Sequence, residues 1–280
     1  MNNKRVCYIE IEVNNNGTKQ LKQLDGLAIK GIVSRKMGAV LAEARVTIAN
    51  LTRADIEYLS TYTSPYINPS VLKKINIYAG YEQTGYGRIF SGDIYRALPS
   101  DMPDTWFNIE AKSLFYSNRT PITYGAKNTT MQETAKSIAE SLNLSFDWQA
   151  TSMKTLDSFN FMGSKGELIK EYNRLDDVIM FEDNGKLKVV DKLAKRESNK
   201  TTKLISKGSG MVGLPEPDER GIKVKCLLDP SLSCGDWVQV KSEKIPNVNG
   251  YYQIYELGYD FANREQQFYS VISAKRYGVL

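Results

Sequence analysis

The sequence predicts an α+β fold that is mainly β: two similar small antiparallel β-barrel domains with an α/β module inserted between them. Three observations support this fold class. Short runs that alternate apolar and polar residues fill both ends of the chain, two helix patterns with capping signals lie between them, and the two β-rich ends resemble each other. The predicted domains are residues 1–120, 121–200 and 201–280.

Composition limits the function classes. Of the 280 residues, 41% are hydrophobic and 25% are charged, as in ordinary soluble globular proteins. The 17 tyrosines favour half-buried sheets and interfaces. Histidine is absent, which excludes Ser-His-Asp and Cys-His catalysis and His-containing zinc sites. The formal charge of +5 is thinly spread, and its densest basic run, 192–203, is predicted to be a solvated linker rather than a nucleic-acid patch.

The cysteines predict no covalent framework. Cys7, Cys226 and Cys234 are odd in number and lack CxxC spacing, so we expect free buried thiols. A disulfide between Cys226 and Cys234 is the less favoured alternative. No apolar run is long enough to span a membrane and the start lacks an apolar signal core, which predicts cytoplasmic synthesis and no stable membrane insertion.

The first 120 residues predict a small antiparallel sheet or barrel. In "EARVTIANLT" the side chains of Ala44, Val46 and Ile48 alternate with polar ones, as in a half-buried strand. Thr52, with Asp55 three positions later, predicts the start of a short helix through "RADIEYLSTY", which "SPYINPS" ends. Strand-like runs are predicted at 4–13, 27–34, 43–52, 74–82, 88–98 and 105–114.

The middle of the chain changes pattern. Thr130 and Glu133 have capping-box spacing before an apolar helical stripe, and Ser164 and Glu167 repeat the device. "DVIMFEDNGKLKVVD" then predicts a β-hairpin, with Asn-Gly at 184–185 in a type I′ turn. These features define the α/β module.

The last third returns to strand patterns. "GIKVKCLLDP", "GDWVQVKS", "GYYQIYELGYDF" and "QQFYSVISAKRY" each predict a strand, and Pro215 and Pro217 are interpreted as the hinge out of the module. We match these runs with the first third and infer an internal duplication, the alternative being a chance likeness of two meanders. The matched pairs are 46–52 with 224–230, 75–82 with 238–245, 88–98 with 250–260, and 105–114 with 267–276.

These residues resemble those of bacteriophage baseplate hub proteins. "ARVTIANL", "INIYAGYE" and "IFSGDI" are similar to the opening of such hubs, and "GMVGLPEPDERGIKVKCLLDPSLSCGDWVQVKS" and "GYYQIYELGYDFANREQQFYSVISA" to their C-terminal segment. Tyr259 stands where many relatives have His. The resemblance is loose over 40–115, general over 125–190 and closer over 205–276. It points to the late control protein D-like tail hubs of contractile phages and phage-like injection machines.

The resemblance implies a function. Such hubs are homotrimers whose protomers each carry two tube-like β-barrel domains, giving six copies around a ring. The ring joins a hexameric tail tube to a trimeric puncturing spike, and DNA crosses its channel only in transit. Tape measure and baseplate wedge proteins are further candidate partners. The implied location is the tail baseplate of the virion, after assembly in the host cytoplasm.

No catalytic, cofactor-binding or metal-ligating residue is predicted. Adjacent carboxylates could serve a glycosidase, but such residues are more often found at helix ends and turns. "GSKGE" (163–167) lacks the phosphate-loop pattern and is interpreted as a helix start. Five aromatic residues could line a sugar groove, although strand core and subunit interface are commoner roles. The carboxylates are Asp176, Asp177, Glu182 and Asp183; the aromatics are Trp106, Phe107, Trp237, Tyr251 and Tyr252.

Two alternatives to a hub remain at this point: a tail-associated peptidoglycan hydrolase, and a receptor- or carbohydrate-binding tail protein such as a distal tail ring or fibre adaptor. The missing histidine and the lack of an acidic cleft motif count against the hydrolase. The duplication favours the hub, because an adaptor needs no internal repeat.

Overall fold

Strands dominate the computed structural model, which describes residues 3–15, 18–38, 41–60, 73–100, 106–193 and 202–276 and confirms a mainly β fold. The strands are β1 (Arg5–Asn15), β2 (Thr18–Leu24), β3 (Ile29–Lys36), β4 (Glu43–Ala49), β5 (Lys73–Tyr81), β6 (Gly85–Pro99), β7 (Trp106–Lys112), β8 (Pro121–Thr130), β9 (Ser145–Trp148), β10 (Thr155–Ser164), β11 (Val178–Asp183), β12 (Lys186–Asp191), β13 (Lys203–Ser206), β14 (Met211–Pro217), β15 (Gly221–Leu227), β16 (Trp237–Lys241), β17 (Gly250–Ala262) and β18 (Phe268–Arg276). The helices are α1 (Arg53–Leu59), α2 (Met131–Ser141) and α3 (Lys165–Tyr172).

One 13-stranded sheet runs through both β-rich ends, in the order β14-β15-β18-β17-β3-β4-β7-β6-β5-β1-β2, with β13 and β16 attached beside β17. The two ends meet where β3 pairs antiparallel with β17, from Lys36 opposite Glu256 to Lys30 opposite Ala262. The strand pairs of the described residues do not show either end closed into a barrel. The domain boundaries at 120 and 200 therefore stay predictions.

The two ends repeat one pattern of strand pairing. β4 pairs with β7 as β15 pairs with β18, and β5 pairs with β6 as β16 pairs with β17. β3 lies beside β4 as β14 lies beside β15. The long strands β6 and β17 each change partner midway and carry a bulge there, at Tyr95 and at Tyr255.

The bulges correct the alignment of the repeat. Ile94 lies opposite Ala111 just before one bulge, and Ile254 lies opposite Ala274 just before the other. Ile94 and Ile254 are therefore equivalent, whereas matching 88–98 with 250–260 sets Ile94 against Glu256. Each bulge adds a residue that shifts the alternation of the positions after it, so the strand pairing, rather than a count along the sequence, identifies the equivalent residues.

The α/β module has its own core between α2, α3 and two small sheets, β8-β10 and β9-β12-β11. Both predicted capping boxes are confirmed: the Thr130 hydroxyl accepts from the Glu133 backbone N–H at 3.1 Å, and Ser164 accepts from Glu167 at 3.3 Å. Thr52 also caps α1 as predicted. Strands β8, β9 and β10 are not among the predicted elements.

The β11-β12 hairpin connects the module to the large sheet. Side chains that alternate along this hairpin pack into two different cores. Met180 lies in the core of the module, while Phe181 and Val190 lie in the core of the large sheet. The predicted 184–185 turn is confirmed, with φ of 52° and 87° at its Asn and Gly. The turn docks on β6, where the Asn184 amide donates to the Arg88 carbonyl at 2.7 Å and the Arg88 guanidinium donates back at 3.1 Å.

A buried guanidinium joins all three parts of the chain. Arg35 on β3 donates to the Asp183 carboxylate at 2.8 Å and to the Tyr259 hydroxyl at 2.7 Å. The Arg35 and Asp183 side chains are only 3% and 1% exposed. Burial raises the pKa of Tyr259, so its hydroxyl stays neutral and can accept this hydrogen bond.

The loop before β16 is held by a second buried cation. Lys188 on β12 donates to the Ser233 hydroxyl at 2.8 Å, to the Cys234 carbonyl at 3.0 Å and to the Asp236 carboxylate at 3.2 Å.

The predicted free thiols are confirmed, because all three cysteines are free and buried. Burial raises the pKa of Cys7 to about 12, so this thiol stays protonated.

The predicted hinge is wrong, because Pro215 and Pro217 lie in the edge strand β14. Asp218 and Gly221 exchange both backbone hydrogen bonds, at 3.2 and 3.3 Å, so the nitrogen of Pro217 points away from β15. A proline fits such an edge position because the missing N–H has no partner to lose. The "SPYINPS" segment and residues 194–201 of the basic run lie outside the described residues.

The buried ion pair generates a stability prediction. Asp183→Asn keeps the shape of the side chain but leaves Arg35 buried without a counter-charge, so we expect the free energy of unfolding in urea to fall by about 3–5 kcal/mol. Glu57→Gln, in the exposed Arg53–Glu57 pair, is the control and should change it by less than about 0.5 kcal/mol. Equal effects of the two substitutions would contradict the role of Arg35.

The capping boxes generate a pH prediction. Hydrogen bonds from the Thr130 and Ser164 backbones lower the pKa of Glu133 and of Glu167 below the usual 4.5. Their stabilising effect is therefore present above that value and is lost as the pH falls through the lowered pKa. The double variant Glu133→Gln with Glu167→Gln should be less stable than the parent at neutral pH, and the difference should disappear as the pH falls below the lowered pKa values of the two glutamates. The measurement is the free energy of chemical unfolding of the double variant and of the parent across the pH range. A difference between them that stays constant with pH would refute the prediction. Glu140→Gln is the control.

Candidate functional site

The sheet that joins the two β-rich ends has one buried and one exposed face. On β3, Val33 and Arg35 are buried while Ile32 and Ser34 are exposed, and the same alternation continues on the neighbouring strands. We call the exposed side of β15, β18, β17, β3, β4 and β7 the bridging face. Its residues include Lys223, Lys225, Leu227, Tyr269, Val271, Ser273, Glu256, Gly258, Asp260, Lys30, Ile32, Ser34, Lys36, Glu43, Arg45, Thr47, Asn108, Glu110 and Lys112.

Strand register arranges the bridging face in rows that cross both ends of the chain. In one row Ile32 lies between Asp260 and Arg45, and Arg45 lies opposite Glu110. Side chains in such directly opposed positions are close enough to interact. The two ends therefore share one continuous surface, and the β3-β17 pair lies in the middle of it.

Ion pairs connect neighbouring strands on this face. Lys112 lies 2.7 Å from Glu43, and Lys36 on β3 lies 3.7 Å from Glu256 on β17. All four side chains are partly or largely exposed, so each pair contributes little to stability. Their effect is to neutralise part of the charge and to hold the long side chains against the sheet.

Basic residues outnumber acidic ones on the bridging face. The bases are Lys30, Lys36, Arg45, Lys112, Lys223 and Lys225, and the acids are Glu43, Glu110, Glu256 and Asp260. Lys223 and Lys225 project from β15, where Lys225 Nζ lies 5.3 Å from the centroid of the Tyr269 ring. Near the centre, Ile32 is 60% exposed. The face is thus hydrated and weakly positive, which suits transient contact with a polyanion.

The hairpin carboxylates considered for catalysis are in structural contacts. Asp183 is paired with Arg35, and Glu182 accepts a hydrogen bond from the Gly185 backbone at 2.6 Å. Burial raises the pKa of Glu182. Both side chains are almost completely buried, although Asp183 also borders a cavity of about 310 Å³ beside Arg35 and Lys188.

The other two carboxylates lie at the opposite end of β11. Asp176 accepts a hydrogen bond from the Ser152 hydroxyl, which lowers the pKa of Asp176, and Asp177 accepts from the Lys192 backbone at 2.8 Å through its carbonyl. The "GSKGE" segment starts helix α3, as interpreted from sequence. Among the residues that the structure describes, no group of three or more His, Cys, Asp or Glu side chains could hold a metal ion.

The candidate sugar-binding aromatics do not share a groove. Phe107, Trp237 and Tyr252 are buried in the core, which confirms the strand-core interpretation for them. Trp106 is half-buried beneath Lys30, whose Nζ lies 4.5 Å from the ring centroid, and Tyr251 is exposed. No helix in the described part of the chain is long and apolar enough to cross a membrane.

The bridging face was missed by sequence reasoning. It depends on the pairing of β3 with β17, which are more than two hundred residues apart in the chain. The sequence did contain an indication of this face. Lys30, Ile32, Ser34 and Lys36 occupy alternate positions of β3, so their side chains lie on the same side of the sheet. The two lysines and the serine at these alternate positions indicate that this side of the strand faces solvent.

Comparison with solved structures shows the fold to be that of tail proteins. A 43 kDa tail protein of prophage MuSo2 from Shewanella oneidensis matches with a TM-score of 0.59 and 11% identity over 95% of this chain and 96% of that one. A tail protein from Neisseria meningitidis matches with a TM-score of 0.61 and 8% identity over 96% of both chains. The E. coli c3393 protein, a type VI secretion component described as similar to the T4 tail proteins gp27 and gp5, matches with a TM-score of 0.61 and 10% identity over 95% of this chain and 76% of that one.

Comparison with curated protein sequences gave no match. The family model described as "Baseplate hub gp41" matches residues 8–274, which is nearly the whole chain. This match confirms the resemblance drawn from the sequence. The chain belongs to the baseplate hub gp41 family.

Proposed function

We propose that the protein is the structural, non-enzymatic hub of a contractile phage tail baseplate. Three copies form a ring with pseudo-six-fold symmetry that joins the hexameric tail tube to the trimeric puncturing spike and forms part of the DNA conduit. The observation that carries this proposal is the repeated strand-pairing pattern at the two ends of the chain. The family match and the fold shared with tail proteins support it. The proposed location is the virion baseplate, after assembly in the host cytoplasm.

The repeat provides a physical basis for symmetry matching. Two similar units in each of three chains place six similar units around one axis. A six-fold partner then meets six related surfaces, while a three-fold partner meets three identical chains. The tube and the spike are the proposed partners on the two sides of the ring, with tape measure and wedge proteins as further partners.

We assign the bridging face to the channel. It is continuous across both units, and the opposite side of the same strands is filled by the core. Its ion pairs offset much of the basic charge, so DNA would be attracted weakly and without tight binding. Such a surface lets a polyanion pass through, which is the property that a conduit requires.

The other functions considered from sequence have less support. The hairpin carboxylates proposed for a hydrolase are buried in contacts that hold the fold together. A peripheral adaptor would not need two units around a shared sheet. Electron microscopy of particles with a tagged chain separates the two positions, because a hub lies on the tail axis and an adaptor lies at the periphery.

The first functional prediction concerns assembly. We expect native mass measurements to show three copies, either for the protein alone or after addition of the tail tube protein or the spike protein. The physical reason is that half of the six-unit ring contacts must form between chains. A protein that stays monomeric with both partners present would contradict the proposed function.

The second functional prediction concerns the conduit. Lys223→Glu with Lys225→Glu makes the bridging face acidic, so we expect particles that assemble normally but lose roughly tenfold in infectivity through slower DNA release. The same charge change at Lys127 and Lys136, exposed positions of the module, is the matched control. If both pairs of substitutions reduce infectivity equally, the bridging face does not line the channel.

A further inference from the structure

The second β-rich end carries an open groove of about 560 Å³ between the end of β13, the start of β14 and the end of β16. We call it the β13-β14 groove. Its floor is apolar and is formed by Leu204, Met211 and Leu214. Leu204 and Leu214 are 41% and 48% exposed. Apolar side chains that are exposed together in a concave place are typical of a binding site.

A bulge in β14 places Leu214 on the floor of this groove. β14 is paired with β15 up to Val212 and again from Glu216, so residues 213–215 leave the ladder. Gly213 has a φ of 76°, a left-handed conformation that residues with a Cβ rarely adopt. A bulge of this kind changes the direction of the side chain that it carries. The exposed position of Leu214 is therefore set by the backbone.

The rim of the groove is basic. It carries three exposed lysines, Lys207, Lys241 and Lys244, and one carboxylate, Glu243. Within the described residues, none of the three lysines forms an ion pair or a side-chain hydrogen bond. On the bridging face, by contrast, carboxylates neutralise part of the basic charge. The positive charge of the rim is therefore available to a partner.

The floor and the rim together define the chemistry of the occupant. Apolar side chains are needed to cover the leucines, and carboxylates are needed to neutralise the lysines. The lysines follow β13, end β16 and lie in the next loop, so they face charges that are spread along an occupant rather than one compact phosphate group. Duplex DNA has no apolar side chains for the floor. The occupant that fits is a protein segment in which apolar residues stand between acidic ones.

Strand register identifies the equivalent place in the first β-rich end. The equivalence of the two isoleucines that precede the bulges fixes β5 against β16. Lys74 and Trp237 pair with the residues just before those isoleucines, so Lys74 and Trp237 are equivalent. The same count along both strands sets Tyr78 against Lys241. The groove therefore has its counterpart beside Tyr78, where β1 lies next to β5 as β13 lies next to β16.

In the first end this place holds stacked rings and an acidic side chain. Tyr8 lies opposite Tyr78, and the two rings stack with their centroids 4.6 Å apart and their planes at 7°. Glu10 takes the position that Leu204 has in the second end, and it accepts a hydrogen bond from the Tyr78 hydroxyl. An acidic segment would meet a like charge there, and a tyrosine in place of Lys241. The two equivalent places therefore differ in the ligand that they accept.

This difference between the units decides which partner the groove fits. In the proposed ring of three chains the groove is present three times, whereas a feature that both units shared would be present six times. A six-fold partner would find a matching place in only half of the units. A three-fold partner meets every groove in the same way. Within the proposed ring, the groove therefore suits the spike protein and not the tail tube protein.

We propose that the β13-β14 groove binds an acidic, apolar segment of the trimeric spike protein, one segment for each chain. Leu204 and Leu214 pack against the apolar side chains of the segment, and the rim lysines bind its carboxylates. An apolar centre surrounded by a charged rim is the usual arrangement of a protein interface. The inference rests on the proposed function and names the surface that recognises the three-fold partner.

Charge reversal on the rim tests the ionic part of this contact. Lys207→Glu with Lys241→Glu should weaken binding of the purified spike protein to the trimeric hub by roughly tenfold at low salt, because carboxylates would then face carboxylates. The loss should become smaller as salt screens the repulsion. Lys127→Glu with Lys136→Glu, at exposed positions of the module, is the matched control and should leave the affinity unchanged.

A substitution on the floor tests the apolar part. Leu214→Glu puts a carboxylate among apolar side chains, so spike binding should fall by roughly tenfold at low and at high salt. Leu21→Glu, at a 63% exposed position on β2, is the matched control and should not change spike binding. Both variants should still form the trimer and bind the tail tube protein, which shows that they remain folded.

Carbodiimide cross-linking identifies the occupant directly, because this reagent joins a lysine amine to a carboxylate that contacts it. In the complex of hub and spike proteins, peptide mass spectrometry should find Lys207, Lys241 or Lys244 joined to acidic residues of the spike protein. Links from these lysines only to a second hub chain or to the tube protein would overturn the assignment, and so would a bound spike protein without any such link.

The outcomes distinguish this inference from the proposed function. A trimer that binds the spike protein equally well in all variants overturns the groove assignment and leaves the hub function intact. The assignment also fails when the rim variant loses only binding of DNA or of phosphatidylglycerol vesicles, because the groove then serves a nucleic acid or a lipid. Absence of any trimer with both partners present overturns the hub function itself.

Discussion

The antiparallel pairing of β3 with β17 is the contact on which the rest of the structure depends. It merges the two β-rich ends into one sheet, and a single hydrophobic core therefore extends across both. It also makes the bridging face continuous, since its rows cross the junction without a break. The same pairing places the β17-β18 turn against the start of β3. Without it the chain would be two separate β units, and none of the shared surfaces would exist.

Arg35 connects the third part of the chain to this junction. It lies on β3 itself, one register position from the bridging face, and reaches Asp183 of the module and Tyr259 of β17. A buried ion pair is costly to form and is weak evidence for stability. The pair nevertheless restricts the position of the β11-β12 hairpin, because a displaced hairpin would leave the charge of Arg35 buried without a partner. We infer that the pair fixes the position of the module more than it stabilises the fold.

Local features were predictable from sequence and long-range ones were not. The boxes at Thr130 and Ser164 and the turn at 184–185 depend on residues within three or four positions of each other, and all three were predicted correctly. The likeness of the two ends was predicted, but the match of 88–98 with 250–260 was displaced by two residues, because only the strand pairing shows that Ile94 and Ile254 are equivalent. The bridging face depends on which strands become neighbours. Alternation within a strand shows that it has two faces but does not identify the strand beside it.

The prolines at the free edges of the sheet have a consequence for the life of the protein before assembly. An exposed strand edge with a full set of donors and acceptors can pair with any similar edge, and such pairing leads to aggregates. Pro99 and Pro217 each remove one N–H donor from the outer side of β6 and of β14. Newly made copies can therefore accumulate in the cell without adding to one another's sheets.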